Sequence, residues 1–366
     1  MGRFFPLFLV LLLSLSAASG QDAPPPQQQQ PQLQPRTAEP ERATPSGTDR
    51  RITIDVQVTA KSGAPIRGLQ EQDFTLLDDK LPQKILSFQA VDTAAAAATD
   101  PPLEIVLVVD AVNASFQAVA NERNELRKFL LQNGGKLPQP TSLIIFTDTG
   151  AEMQNGSSRD GNVLAALLDK YEAGLRTINR SQGIYGAAER FSLSLTTVER
   201  LAEYERPRPG RKLVIWISPG WPLLSGPRTY LSGKEEQRLF NDIVAASAAL
   251  RLARVTLYSV DPLGLSDFGR AVYYEEFVKG VTSPSKTVPG NLGLPVLAVQ
   301  TGGRVLNLTN DLTTSIANCA ADANAFYVIS FDAPRADKAN EYHSLGVTVD
   351  KPGITARTRT GYYAQP

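Results

Sequence analysis

The spacing of apolar positions changes character twice along the chain. Ile52, Ile54, Val56 and Val58 alternate with polar residues, the two-residue period of a strand buried on one face. Turn signals follow at Ser62-Gly63 and Asp78-Asp79, with short strands expected around Phe74–Leu77 and Ile85–Phe88. No helical period interrupts this series, so residues 50–93 read as strands of a small β-sandwich. A segment of roughly 40 residues cannot enclose a core alone and must pack on something else. The alanine run 94–98 reads as a joint.

From residue 103 the pattern becomes strand, helix, strand, helix. Four short runs are almost continuously apolar and rich in β-branched residues: "IVLVVD" (105–110), "SLIIFTD" (142–148), "KLVIWIS" (212–218) and "VTLYSVD" (255–261). Strands of that kind belong in a parallel sheet covered on both faces. Between them, amphipathic helices present Phe116, Val119, Leu126, Phe129 and Leu130 on one face, and Val163, Leu164, Leu167, Leu168 and Tyr171 on a second. Leu239, Phe240, Ile243, Val244 and Leu250 make a third. The expected fold is α/β over 103–325, a doubly wound and mostly parallel sheet. The tail 326–364 returns to β, with "AFYVISF" and the alternation of Leu345, Val347 and Val349. Its strands are expected to complete the short N-terminal layer as an accessory β-sandwich.

Composition changes this picture mainly at the amino end. "MGRFFPLFLVLLLSLSAASG" (1–20) has a basic Arg3, an apolar core and small residues before Gln21, the pattern of a cleaved secretory signal. Residues 21–48, "QDAPPPQQQQPQLQP" onward, hold too little apolar surface to offset ordering and read as a disordered linker. No later segment is long and apolar enough to span a membrane, so a soluble, exported chain (periplasmic or secreted) is expected. The 37 basic and 37 acidic residues balance, which gives no field for nucleic acid.

One cysteine, Cys319, and one histidine, His343, exclude an internal disulfide and the usual multi-His or Cys-cluster zinc sites. They also leave any His-based hydrolase dependent on a single residue. No catalytic residues are expected.

The pieces "GLQEQDFTLLDDKLPQKILSF", "LEIVLVVDAVNASF", "VTLYSVDPLGL", "LAVQTGGRVLNLTNDL" and the closing "FYVISF…EYHSLGVTVDKPGITARTRTGYY", in that order, resemble the von Willebrand factor A (vWA) domain. The chain is similar in particular to the VWFA-related family of exported bacterial proteins, over about residues 50 to 364. The resemblance implies a metal-ion-dependent adhesion site in which a DxSxS loop gives one Asp and two Ser, and two further loops give a Thr and an Asp. Oxygen ligands of that kind suit Mg²⁺ or Mn²⁺. Here Asp110 is kept, but Val112 and Ala114 stand at the two Ser positions. Pro219 stands where the third-loop Asp is expected, and "SQGIYGAA" offers no Thr. The site is degenerate. A rearranged one would draw on Asp110, Asn113, Ser115 and Asp148. Against it, Asp110 or Ser115 is read as the cap of the following helix.

Other signals carry less. "SPSK" (283–286) has the SxxK spacing of acyl enzymes but lies in a Gly/Pro-rich loop, and Asp261 before Pro262 reads as a turn cap. "GGRVLNL" (302–308) lacks nucleotide-binding spacing. The sequons at Asn113, Asn155, Asn179 and Asn307 weigh little in a bacterial chain. The loop 219–234 weighs more. Trp221, Leu224, Arg228 and Tyr230 follow a parallel strand's carboxyl end, where open α/β sheets bind ligands.

The reading favoured is an exported, non-catalytic, adhesion-like module that binds a protein or envelope component without metal. Alternatives are a Mg²⁺- or Mn²⁺-dependent adhesion protein built around Asp110, and a structural part of an envelope assembly.

Overall fold

The computed structural model describes residues 50–93, 103–154, 156–171, 183–221, 231–264 and 273–366. Residues 1–20, read above as a secretory signal, the Gln/Pro-rich stretch 21–48 and the alanine run 94–98 lie outside them. The amino-terminal strands are β1 (Arg51–Ala60), β2 (Phe74–Asp78), β3 (Leu81–Gln83) and β4 (Ser87–Asp92). The middle of the chain holds β5 (Leu103–Asp110), β6 (Lys136–Thr147), β7 (Gly150–Met153), β8 (Ser158–Asp160), β9 (Arg211–Ile217), β10 (Val255–Val260) and β11 (Val305–Leu306). The tail adds β12 (Ala325–Asp332), β13 (Glu341–Val349), β14 (Ile354–Arg357) and β15 (Gly361–Ala364). Helices are α1 (Phe116–Leu130), α2 (Gly161–Lys170), α3 (Gly183–Glu205), α4 (Gly233–Leu252), α5 (Leu294–Gln300) and α6 (Leu312–Ala320).

The four β-branched runs lie side by side in parallel. The sheet order is β11-β10-β9-β5-β6-β7, with β7 and β8 turning back antiparallel on β6. Every residue of β9 and β10 is buried, as strands covered on both faces require. Ile105, Leu107 and Val109 point to the α1, α2 and α6 side, against Leu126, Phe129, Leu164, Ile316 and Cys319. Val106 and Val108 point to the other face, against Val198, Leu201, Ile243, Leu250 and Leu297 of α3, α4 and α5. Two residues of the expected apolar stripes depart from this. Phe116 is 75 % exposed and Val163 47 %. Each stands in the first turn of its helix, where the core no longer lies beneath it.

The amino-terminal and carboxyl-terminal strands interleave. One antiparallel sheet runs β14-β1-β12-β4 and a second runs β15-β13-β2-β3. They share a core of Ile54, Val56, Phe74, Leu76, Tyr327, Ile329, Phe331 and Tyr362. The fold is thus mixed α/β, a central mostly parallel sheet with two antiparallel sheets, and Pro45–Pro366 is one compact unit.

The β-layer is fastened at the amino edge of the parallel sheet by buried polar groups. Arg211, at the start of β9, donates to Gln57 Oε1, Thr256 Oγ1 and the Asp322 carbonyl, each at 3.3 Å. Tyr258 and Arg357 both donate to Asp322 Oδ2. The "GG" of the late motif serves packing there. A Cβ on Gly303 would stand 1.8 Å from the Leu257 carbonyl oxygen, so only glycine lets these backbones meet.

Candidate functional site

The carboxyl edge of β5 delivers Asp110 into a loop that closes on itself. Asp110 is fully buried. Its Oδ1 accepts the backbone N–H groups of Val112 and Asn113, both at 2.9 Å. Its Oδ2 accepts Asn113 Nδ2 at 2.8 Å and the indole Nε1 of Trp216 at 3.0 Å. The reason lies in register. Trp216 pairs with Val108 across β9 and β5, and Asp110 follows Val108 on the same face by the two-residue period. The indole N–H therefore rises beneath the carboxylate, where it needs an acceptor in a dry core.

Asn113 extends the network to α3, donating through Nδ2 to Ser194 Oγ at 3.0 Å. Val112 and Ala114 turn inward, at 1 % and 0 % exposure. Ser115 caps α1, its Oγ accepting Ala118 N–H at 3.2 Å. Burial raises the Asp110 pKa above the ordinary range, with the bonds from Asn113, Trp216 and Ser218 pulling the other way. On α1, Glu122 is fully buried and neither carboxyl oxygen has a hydrogen-bond partner among the described residues. Burial, then the charges of Asp110 and Asp261, push its pKa well above the usual carboxyl value.

These residues do not fit a divalent cation. Both oxygens of Asp110 face N–H donors, which occupy the directions an ion would need and would repel it. Asn113 turns its amide nitrogen toward Asp110. The reversed amide would set Oδ1 against Asp110 Oδ2, so the oxygen that could ligate points elsewhere. Ser115 uses its lone pair on the helix. Asp148 is exposed in the turn after β6, and no group of three ligating side chains among the described residues contains it together with Asp110. Asp110, Asn113 and Ser115 are brought together as a hydrogen-bonded turn and cap.

The contact loop expected after β9 is corrected at its first residue. Trp221 is only 3 % exposed and packs edge-on against Trp216, with ring centroids 5.3 Å apart. A large aromatic one turn beyond a buried strand gains more by covering Trp216 than by facing water. Leu224, Arg228 and Tyr230 lie outside the described residues. Asp261 accepts Leu263 N–H at 2.8 Å as a turn cap. Lys286 Nζ meets Thr282 Oγ1 and Ser283 Oγ meets Ser285 Oγ, so the two residues of the SxxK pair turn to other partners. Cys319 is buried, which pushes its thiol up to about 12.

Three residues at this edge escape a reading by motif. Trp216 is the lone aromatic of an aliphatic strand, and its indole N–H was the available signal. Glu122 falls on the apolar stripe between Val119 and Leu126, where a carboxylate is out of place. Phe116 signals nothing in sequence, because its helix period puts it with the core.

No family model matches the chain, and no curated protein matches it. Similar solved structures include manganese-loaded TRAP protein of Plasmodium vivax, at 11% identity over 75% of this chain and 98% of that one, TM-score 0.32. The pilus adhesin SpaC of Lactobacillus rhamnosus GG gives 10% identity over 82% of this chain and 49% of that one, TM-score 0.34. A point mutant of the PilB minor pilin of Streptococcus sanguinis gives 12% identity over 74% of this chain and 78% of that one, TM-score 0.32. Likenesses this low establish neither ancestry nor function.

Proposed function

We propose that the chain is an exported, non-catalytic interaction module of vWA type that binds a protein or envelope component without a metal at Asp110. One observation carries the reading: the Asp110 carboxylate is filled by four donors from its own chain. A loop that would present an ion in a metal-dependent adhesion site is here a closed hydrogen-bonded turn. Two apolar side chains stand exposed at the same edge, Phe116 at 75 % after β5 and Leu308 at 53 % after β11. Apolar anchors of this kind serve contact with a partner. Export rests on the leader-like pattern of residues 1–20.

The test immobilises the mature chain and captures partners from an envelope extract of its source, with and without EDTA. The expected result is the same captured set in both arms, and its loss with Phe116→Asp. Capture that EDTA abolishes, or that Phe116→Asp leaves intact, sinks the proposal. No observation at the site favours the metal-dependent alternative.

A further inference from the structure

A second set of polar groups lies in the β-layer, far in sequence from Asp110. Asp78 ends β2, Asp79 begins the two-residue turn into β3, and His343 lies on the neighbouring β13. His343 Nδ1 stands 2.9 Å from Asp78 Oδ1 and 3.5 Å from Asp79 Oδ2. One ligand atom from each residue lies within 4.8 Å of the others, the only such grouping of three among the described residues. We infer that Asp78, Asp79 and His343 form a binding site for a first-row divalent cation, with Zn²⁺ the best fit.

The geometry is that of a preformed cradle. Two ligand atoms each about 2.1 Å from one ion and 90–110° apart stand about 3.0–3.4 Å from each other. The separations from His343 Nδ1 bracket that range. The second-layer bonds hold the ligands from behind. Tyr362 OH donates to Asp78 Oδ2 at 2.5 Å, and the Ser344 backbone N–H and hydroxyl donate to Asp79 Oδ1 at 2.8 and 2.9 Å. Each carboxylate therefore turns its other oxygen toward the imidazole. Carboxylates held in this way need little rearrangement to meet an ion. Asp79 is half-exposed, which leaves an entry path and open positions for water.

Charge points the same way. Asp78 is buried, and neither it nor Asp79 pairs with a Lys or Arg among the described residues, so two negative charges face one imidazole. His343 is itself 8 % exposed and stacks on Tyr362 with ring centroids 5.2 Å apart, which holds its Nδ1 toward the two carboxylates. A dication held between the imidazole and the two carboxylates supplies the missing positive charge. One imidazole and two carboxylates suit Zn²⁺ better than Mg²⁺ or Ca²⁺, which prefer oxygen alone.

The test strips the mature chain with EDTA and titrates it with Zn²⁺ by calorimetry, then with Co²⁺ by visible absorption. One Zn²⁺ per chain, a raised Tm and a Co²⁺ band are expected. Asp79→Asn keeps the turn and the His343–Asp78 contact, so it should fold with an unchanged metal-free Tm while affinity falls by about tenfold or more. No binding, or one-to-one binding that Asp79→Asn leaves unchanged, overturns the inference. Phe116→Asp changes an exposed side chain at the carboxyl edge of the parallel sheet and should leave Zn²⁺ affinity as it is; an affinity lost with that variant also overturns the inference.

Discussion

At the scale of single residues, Asp110 shows how one buried carboxyl group can organise a whole loop. Four donors depend on it, two of them backbone N–H groups. Asp110→Ala strands those donors in a dry site, and a loss of about 3–5 kcal/mol in urea unfolding is expected with or without Mg²⁺. A metal ligand would behave otherwise, costing little in metal-free buffer. Glu122 makes the opposite prediction, because it is buried with no hydrogen-bond partner among the described residues. Glu122→Leu removes an unsatisfied carboxyl and should stabilise the chain by about 1–3 kcal/mol at pH 7. Its pH dependence has a definite sign. The folded pKa lies above the unfolded value near 4.5, so the native chain keeps a proton that the unfolded chain sheds. The stabilisation is full below about 4.5 and is lost as pH rises toward the folded pKa. Chemical denaturation as a function of pH should show this fall in the natural chain and a shallower one in Glu122→Leu.

At the scale of elements, the loop between β5 and α1 works as a strand-to-helix connector. Ser115 fulfils the cap, with its oxygen on Ala118 N–H. Ser115→Ala should cost about 1 kcal/mol, read as a lowered Tm, and should not alter partner capture. The parallel strands were legible because covered strands need apolar residues on both faces, which leaves unbroken runs such as "LVIWI". Helix ends were less legible. Phe116 and Val163 continue the helical period, yet the period is a property of the helix and says nothing about where the neighbouring layer stops. The exposure expected of Trp221 failed for a related reason. Aromatics among Pro and Gly look exposed until a partner such as Trp216 is known to lie beneath Trp221.

At the scale of the molecule, the β-layer and the α/β layer are joined through a buried polar junction. Arg211 lies 2 % exposed between Gln57, Thr256 and Asp322, with its guanidinium 4.7 Å from the Phe326 ring centroid. Removing one partner of such a network costs about 3–5 kcal/mol. Arg211→Ala should therefore lower the unfolding midpoint seen by tryptophan fluorescence, whose two reporters Trp216 and Trp221 lie beside Asp110, and the midpoint seen by hydrogen exchange in β1 and β12 equally. Two separated transitions in the natural chain would show that the layers fold apart. Cys319 gives an independent check. Buried and with its thiol raised to about 12, it should resist thiol reagents in the native state and react only at the rate of global unfolding.

Local period and residue type suffice for the class of the central sheet, the return to β at the tail, and the shortage of oxygens at Val112 and Ala114. No distant contact can change any of these. Which groups Asp110 holds is decided by packing, because Trp216 reaches it through strand register over a separation of 106 residues. Packing likewise sets Asp78 and Asp79, legible as a turn, against the lone histidine 265 residues away. Neither pairing has a local signature. Each exists because β-strands bring remote residues into register, and register is fixed by the whole core at once.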